Sequence, residues 1–71
     1  MAGNYTVRRS EADGTIIEEV HGLGMRTAAL AYGKNCVRFR FRGQHHQIIE
    51  GTPLPGMPEK IVAEHFSQAG E

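Results

Sequence analysis

Val37-Arg38-Phe39-Arg40-Phe41-Arg42-Gly43 alternates apolar and cationic side chains without a break. A period of two belongs to a strand with one face buried and the other in water. The stretch predicts a strand over 36–42. Val37, Phe39 and Phe41 would turn to a core, and Arg38, Arg40 and Arg42 would turn outward. Gly43-Gln44 fits a two-residue turn with glycine first, and 44–49 fits the returning strand. In that register Phe41 opposes His46 and Phe39 opposes Ile48 on the inner side. Arg42 opposes His45 and Arg40 opposes Gln47 on the outer side. The apolar residues of both strands fall together, so the register is self-consistent.

Upstream, 4–9 and 15–20 predict a second hairpin. Asp13-Gly14 is a strong turn signal between them. Centring the turn there sets Val7 against Val20, Arg8 against Glu19 and Arg9 against Glu18, and the opposite charges favour that pairing. Gly22 and Gly24 break the strand. The segment 25–32 is rich in helix formers, with Met25, Ala28, Ala29 and Tyr32 spaced for one face. Gly33 is placed for a left-handed helix cap. Pro53, Pro55 and Gly56 exclude regular structure. Pro58 suits a helix start, which predicts a final helix over 58–69 with Ile61, Val62, His65, Phe66 and Ala69 on its core side and Gly70 as its stop.

The predicted order is β-β-α-β-β-α. This is an α+β sandwich of two layers, a four-stranded antiparallel sheet with both helices on one face. It also suggests an internal ββα repeat with halves 4–34 and 35–70. Shifting the chain by 32 residues aligns seven identities, among them Arg8 with Arg40 and Ile16-Ile17-Glu18 with Ile48-Ile49-Glu50. Two hairpin-plus-helix units can also look alike because packing demands it.

At 71 residues the chain predicts a single domain over 1–71 with little core, which favours a homodimer. Cys36 is the lone cysteine, so no intrachain disulfide forms and no zinc-finger spacing exists. With no apolar leader or spanning segment, the expectation is a cytoplasmic protein with no membrane partner, no cofactor and no metal. Formal net charge is zero, but the charges are segregated. Residues 11–19 carry four acids and no bases, while 34–49 carry four positive residues and no acids.

The candidate contact surface is the outer sheet face. Arg38, Arg40, Arg42, His45 and Gln47 lie on it, and the repeat alignment adds Arg8. Guanidinium groups pair with phosphates and stack on bases, so the strip could track a nucleic acid or meet an acidic protein. The alternative is plain solvation of an exposed face. Inward-facing phenylalanines argue against a base-stacking sheet. His45 and His46 face opposite sides of a strand and cannot share a metal. His46 is expected in the core beside Phe41. His45 has no carboxylate placed near it by pattern, so no catalytic residue is assigned and the protein is read as non-enzymatic. The Gly22-x-Gly24 turn lacks the parallel unit that would make it a nucleotide site.

The run Arg42-Gly43-Gln44-His45-His46, lying between a short helix and a final helix, resembles HicA-type mRNA interferase toxins. Those carry a Gly-Ser-His motif on a strand of a small RNA-binding fold. The resemblance spans about 24–70 and implies a ribonuclease with His45 as its catalytic histidine. Gln44 stands where that family has serine, and the N-terminal hairpin has no counterpart there.

Overall fold

The computed structural model describes residues 3–67. The N-terminal hairpin forms as its charges dictate. Strand β1 (Tyr5–Ser10) pairs antiparallel with β2 (Ile16–Leu23), with Val7 opposite Val20, Arg8 opposite Glu19 and Arg9 opposite Glu18. The turn is one residue longer than Asp13-Gly14 alone suggests. The Glu11 amide donates to the Thr15 carbonyl at 2.8 Å, which leaves Ala12, Asp13 and Gly14 as the loop. Gly14 has φ +98°, the left-handed conformation such a loop requires, and the Thr15 amide donates to Asp13 Oδ1 at 2.9 Å. An irregularity between Arg9 and Ser10 absorbs the extra residue.

Helix α1 (Met25–Val37) follows, then a short 3-10 turn (Phe39–Phe41), β3 (His45–Glu50) and β4 (Lys60–Phe66). The sheet order is β2-β1-β3-β4, and every neighbouring pair is antiparallel. The four-stranded antiparallel sheet of an α+β fold is therefore present, with one helix among the described residues. A buried cluster lies between α1 and the sheet. Val7, Ala28 and Ile48 form it, and Tyr5, Leu23, Ala31, Tyr32 and Ala63 pack around them. Thr6, Ser10, Gln47 and Ile49 are buried on the opposite face.

The segment 36–42 is not a strand. Cys36 and Val37 remain in α1, and Phe39–Phe41 coils into the 3-10 turn. The helix runs through Gly33, which does not adopt a left-handed cap. A longer helix satisfies more backbone groups, and Lys34 in its last turn suits the negative end of the helix dipole. Five residues then separate Val37 from Gly43, too few for a paired strand as long as β3. Phe39 and Phe41 do not oppose Ile48 and His46 in a ladder, and Phe39 is 76% exposed rather than buried.

The predicted second helix is also absent, since Lys60–Phe66 is β4. Gln68, Ala69 and Gly70 of that expectation lie outside the described residues. Strand β3 is flanked by β1 on one side and needs hydrogen-bond partners on the other, which a helix could not supply. Adjacent Ile61 and Val62 are β-branched and suit that role. The ββα repeat fails for the same reason: its second half carries a helix end where the first has a strand, and a strand where the first has a helix.

The connection from β3 to β4 is tied to β1. Thr6 Oγ1 donates to the Gly51 carbonyl at 2.8 Å, and Asn4 Nδ2 donates to Thr52 Oγ1 at 3.1 Å. No helix among the described residues is long and apolar enough to cross a membrane.

Candidate functional site

Alternation along the strands sorts the polar residues onto two faces. Tyr5, Val7 and Arg9 share the helix side with His46 and Ile48, while Thr6, Arg8 and Ser10 share the outer face with His45, Gln47 and Ile49. Arg8, His45 and Gln47 are thus together on the outer face, Arg8 through its pairing with Gln47 and not through a repeat. Arg38, Arg40 and Arg42 are not with them. They follow α1, in and around the turn that packs on the helix side of the sheet.

On the outer face Arg8 is the hub of a closed network. Its Nε donates to Glu19 Oε2 at 2.6 Å, and its Nη atoms grip both oxygens of Glu59 at 3.0 and 2.6 Å. Gln47 Oε1 accepts a further bond from Nη1 at 3.3 Å. Beyond Glu19 lies His21, 3.0 Å away. On the other flank Gln47 donates to Glu64, and His45 Nε2 lies 3.0 Å from Glu64 Oε1. The His45 ring stacks on Phe66 with centroids 3.7 Å apart.

The electrostatics are those of a mutually satisfied cluster. The Glu59 hydrogen bonds raise the Arg8 pKa, and Arg8 in turn holds the Glu59 carboxyl below its ordinary value. Burial pushes Glu19 up, but the hydrogen bonds from His21 and Arg8 outweigh it and leave Glu19 lowered. With a side chain only 11% exposed and four hydrogen bonds to Glu19, Glu59 and Gln47, Arg8 is committed to this network.

Three members of this network, Glu19, Glu59 and Glu64, escape a reading that looks only for cations. Glu19 is visible as the partner of Arg8 in the hairpin. Glu64 reaches His45 only because 60–66 is a strand, since the helix read there points it to solvent. The signal for the strand is the Ile61-Val62 pair behind three prolines.

On the helix side, Arg9 lies over the Phe41 ring, 3.9 Å from its centroid. Its Nη atoms donate to Gln44 and Glu18, at 3.1 and 3.3 Å. This stack anchors the 3-10 turn to the sheet. His46 is fully buried between Arg9 on β1 and His65 on β4, with Phe41 nearby and Ser67 Oγ 3.1 Å from its Nε2. Burial lowers its pKa, and the charges of Arg9 and the neighbouring histidines act the same way. Cys36 is half-buried beside Tyr32. Burial pushes its thiol up and that of the Tyr32 phenol to about 12, which makes Cys36 a poor nucleophile.

The unengaged charge is elsewhere. Between Glu19 and Glu50 the chain has five cationic residues and no acid: Arg26, Lys34, Arg38, Arg40 and Arg42. All are exposed, and none has an ion-pair partner among the described residues. Aromatic rings sit among them. Arg38 and Arg40 lie 5.6 and 6.0 Å from the Phe41 centroid, and Arg42 lies 4.6 Å from that of Phe39. Among the described residues no group of three His, Cys, Asp or Glu side chains is arranged to hold a metal ion. Compared with known proteins, the chain matches no family model, no curated protein and no solved structure.

Proposed function

We propose that this is a small non-enzymatic binding protein that holds a nucleic-acid backbone on the cationic surface formed by α1 and the turn after it. The observation that carries the reading is the contrast between two sets of cations. Arg8 is locked between carboxylates, whereas Arg26, Lys34, Arg38, Arg40 and Arg42 are exposed without an acidic partner among the described residues. Holding like charges together with no acid among them costs stability through mutual repulsion, and an anionic partner relieves it. Zero net charge does not oppose this, because the eight acids lie outside 20–49 and four of them are in 11–19.

The test is a fluorescence anisotropy titration of a labelled oligonucleotide across a salt series. A single strand that contacts three to five phosphates gives a slope of log K against log salt of roughly −2 to −3.5. Absence of binding at the lowest salt would end the proposal.

An acidic protein is the second reading. Met25, Leu30 and Val37 are exposed beside the same cations, which fits an interface with an apolar centre and a charged rim. A second copy of the chain is proposed to pair at the sheet edges, where β2 exposes Ile16, Ile17 and Val20 and β4 exposes Ile61, Val62 and Phe66. Sedimentation at micromolar concentration is expected to give a dimer mass, and a monomer mass would refute the pairing.

A further inference from the structure

Phe39 is out of place by the ordinary logic of burial. A phenyl ring loses about 2–3 kcal/mol by staying in water rather than entering a core, yet it is 76% exposed while Phe41, two residues on, is partly covered. The difference lies in the partners. Phe41 has Arg9 on its face at 3.9 Å, with Arg38 and Arg40 at 5.6 and 6.0 Å. Phe39 has Arg42 at 4.6 Å and stands free otherwise. The 3-10 turn is what presents it, because coiling 39–41 sends neighbouring side chains in different directions where a strand would have sent both phenylalanines inward.

Resting on the nucleic-acid reading above, we infer that the ligand is single-stranded and that Phe39 is the platform on which one of its bases stacks. An exposed ring inside a basic turn matches an unpaired nucleotide in both chemistries. The ring offers a π-face to a base, and Arg38, Arg40 and Arg42 offer guanidinium groups to the flanking phosphates. Arg42 over Phe39 adds a cation to the stack, so base, ring and guanidinium form three layers. In a duplex the base faces are covered by their neighbours, which leaves Phe39 exposed and only the charge term operative. Such stacking tolerates any base, so the preference is for strandedness over sequence.

The experiment uses the full chain with fluorescein-labelled oligothymidylate and, separately, the duplex it forms with oligoadenylate, at one salt concentration. The single strand is expected to bind at least about fivefold more tightly than the duplex. Phe39→Ala and Phe39→Leu are expected to remove that preference. Phe39→Tyr, which keeps the ring, is expected to retain it. The ring is exposed, so these variants keep the wild-type melting temperature, measured alongside. Equal affinity for both probes, or Phe39→Leu indistinguishable from wild type on the single strand, overturns the stacking role and leaves the electrostatic reading intact. Failure of both probes to bind the wild type overturns both.

Discussion

Replacing Arg8 with methionine is expected to destabilise the fold by about 2 kcal/mol, which lowers the melting temperature of so small a domain by roughly 8–16 °C. Methionine keeps the length and apolar stem of the side chain, so the loss reports the guanidinium. Removing it leaves Glu19 and Glu59 near one another without the cation between them, and leaves Gln47 Oε1 without that donor. A fully buried pair would cost more. Here the Glu59 side chain is 32% exposed, and water recovers part of the loss. Adding Glu19→Gln and Glu59→Gln to Arg8→Met is expected to restore part of the stability, because the repulsion goes with the charges. An unchanged melting temperature in Arg8→Met would show that the network contributes nothing net.

The same variant separates two pH windows. Glu19 and Glu59 titrate below their ordinary value of 4.5 in the folded state. Their contribution is therefore present above that value and lost as pH falls through the lowered folded values. His46 also has a lowered folded pKa, against an ordinary value of 6.5. A base that is harder to protonate when folded stabilises the fold above 6.5 and loses that contribution as pH drops toward the folded value. Wild type is thus expected to weaken first below 6.5 and again below 4.5. Arg8→Met is expected to flatten the lower step and keep the upper one. Melting curves from pH 7 to pH 3 read both.

Replacing Arg38, Arg40 and Arg42 together with alanine is expected to weaken binding to the single-stranded probe roughly 100-fold near 0.1 M salt, and to make the salt slope shallower by about 2. Each phosphate contact on a single strand releases about 0.7 of a counterion, so three lost contacts account for both figures. The three side chains are exposed and have no ion-pair partners among the described residues, so the fold should survive at the cost of their weak cation–π contacts. The triple lysine variant is expected to keep the slope and lose part of the affinity, because an ammonium neutralises a phosphate but neither grips it bidentately nor stacks. A triple alanine variant that binds as wild type would remove this turn from the interface.

The N-terminal hairpin shows how far local information reaches. Asp13-Gly14 and the facing charges of Arg8, Arg9, Glu18 and Glu19 place the turn and the central pairs of its register, though not the extra loop residue. The position of 44–49 as a strand was equally legible, and with it the division that sends His46 inward and His45 outward with Gln47. The Arg-Phe alternation misled because period two is necessary for an amphipathic strand and not sufficient. Whether 36–42 pairs depends on whether another segment takes the edge of β3 first.

The sequence by itself determined the segregation of charge, the first hairpin and the opposite sheet sides of His45 and His46, because turns and cross-strand pairs act between residues near in the chain or alternate within one strand. Only the tertiary structure decided the fate of Val37-Arg38-Phe39-Arg40-Phe41-Arg42. β1 and β4 occupy the two edges of β3, α1 keeps Cys36 and Val37, and Arg9 claims the face of Phe41. Competition between distant segments for the same hydrogen-bonding edge leaves no local trace. It turned a presumed sheet face into an exposed, arginine-flanked turn that carries Phe39 outward.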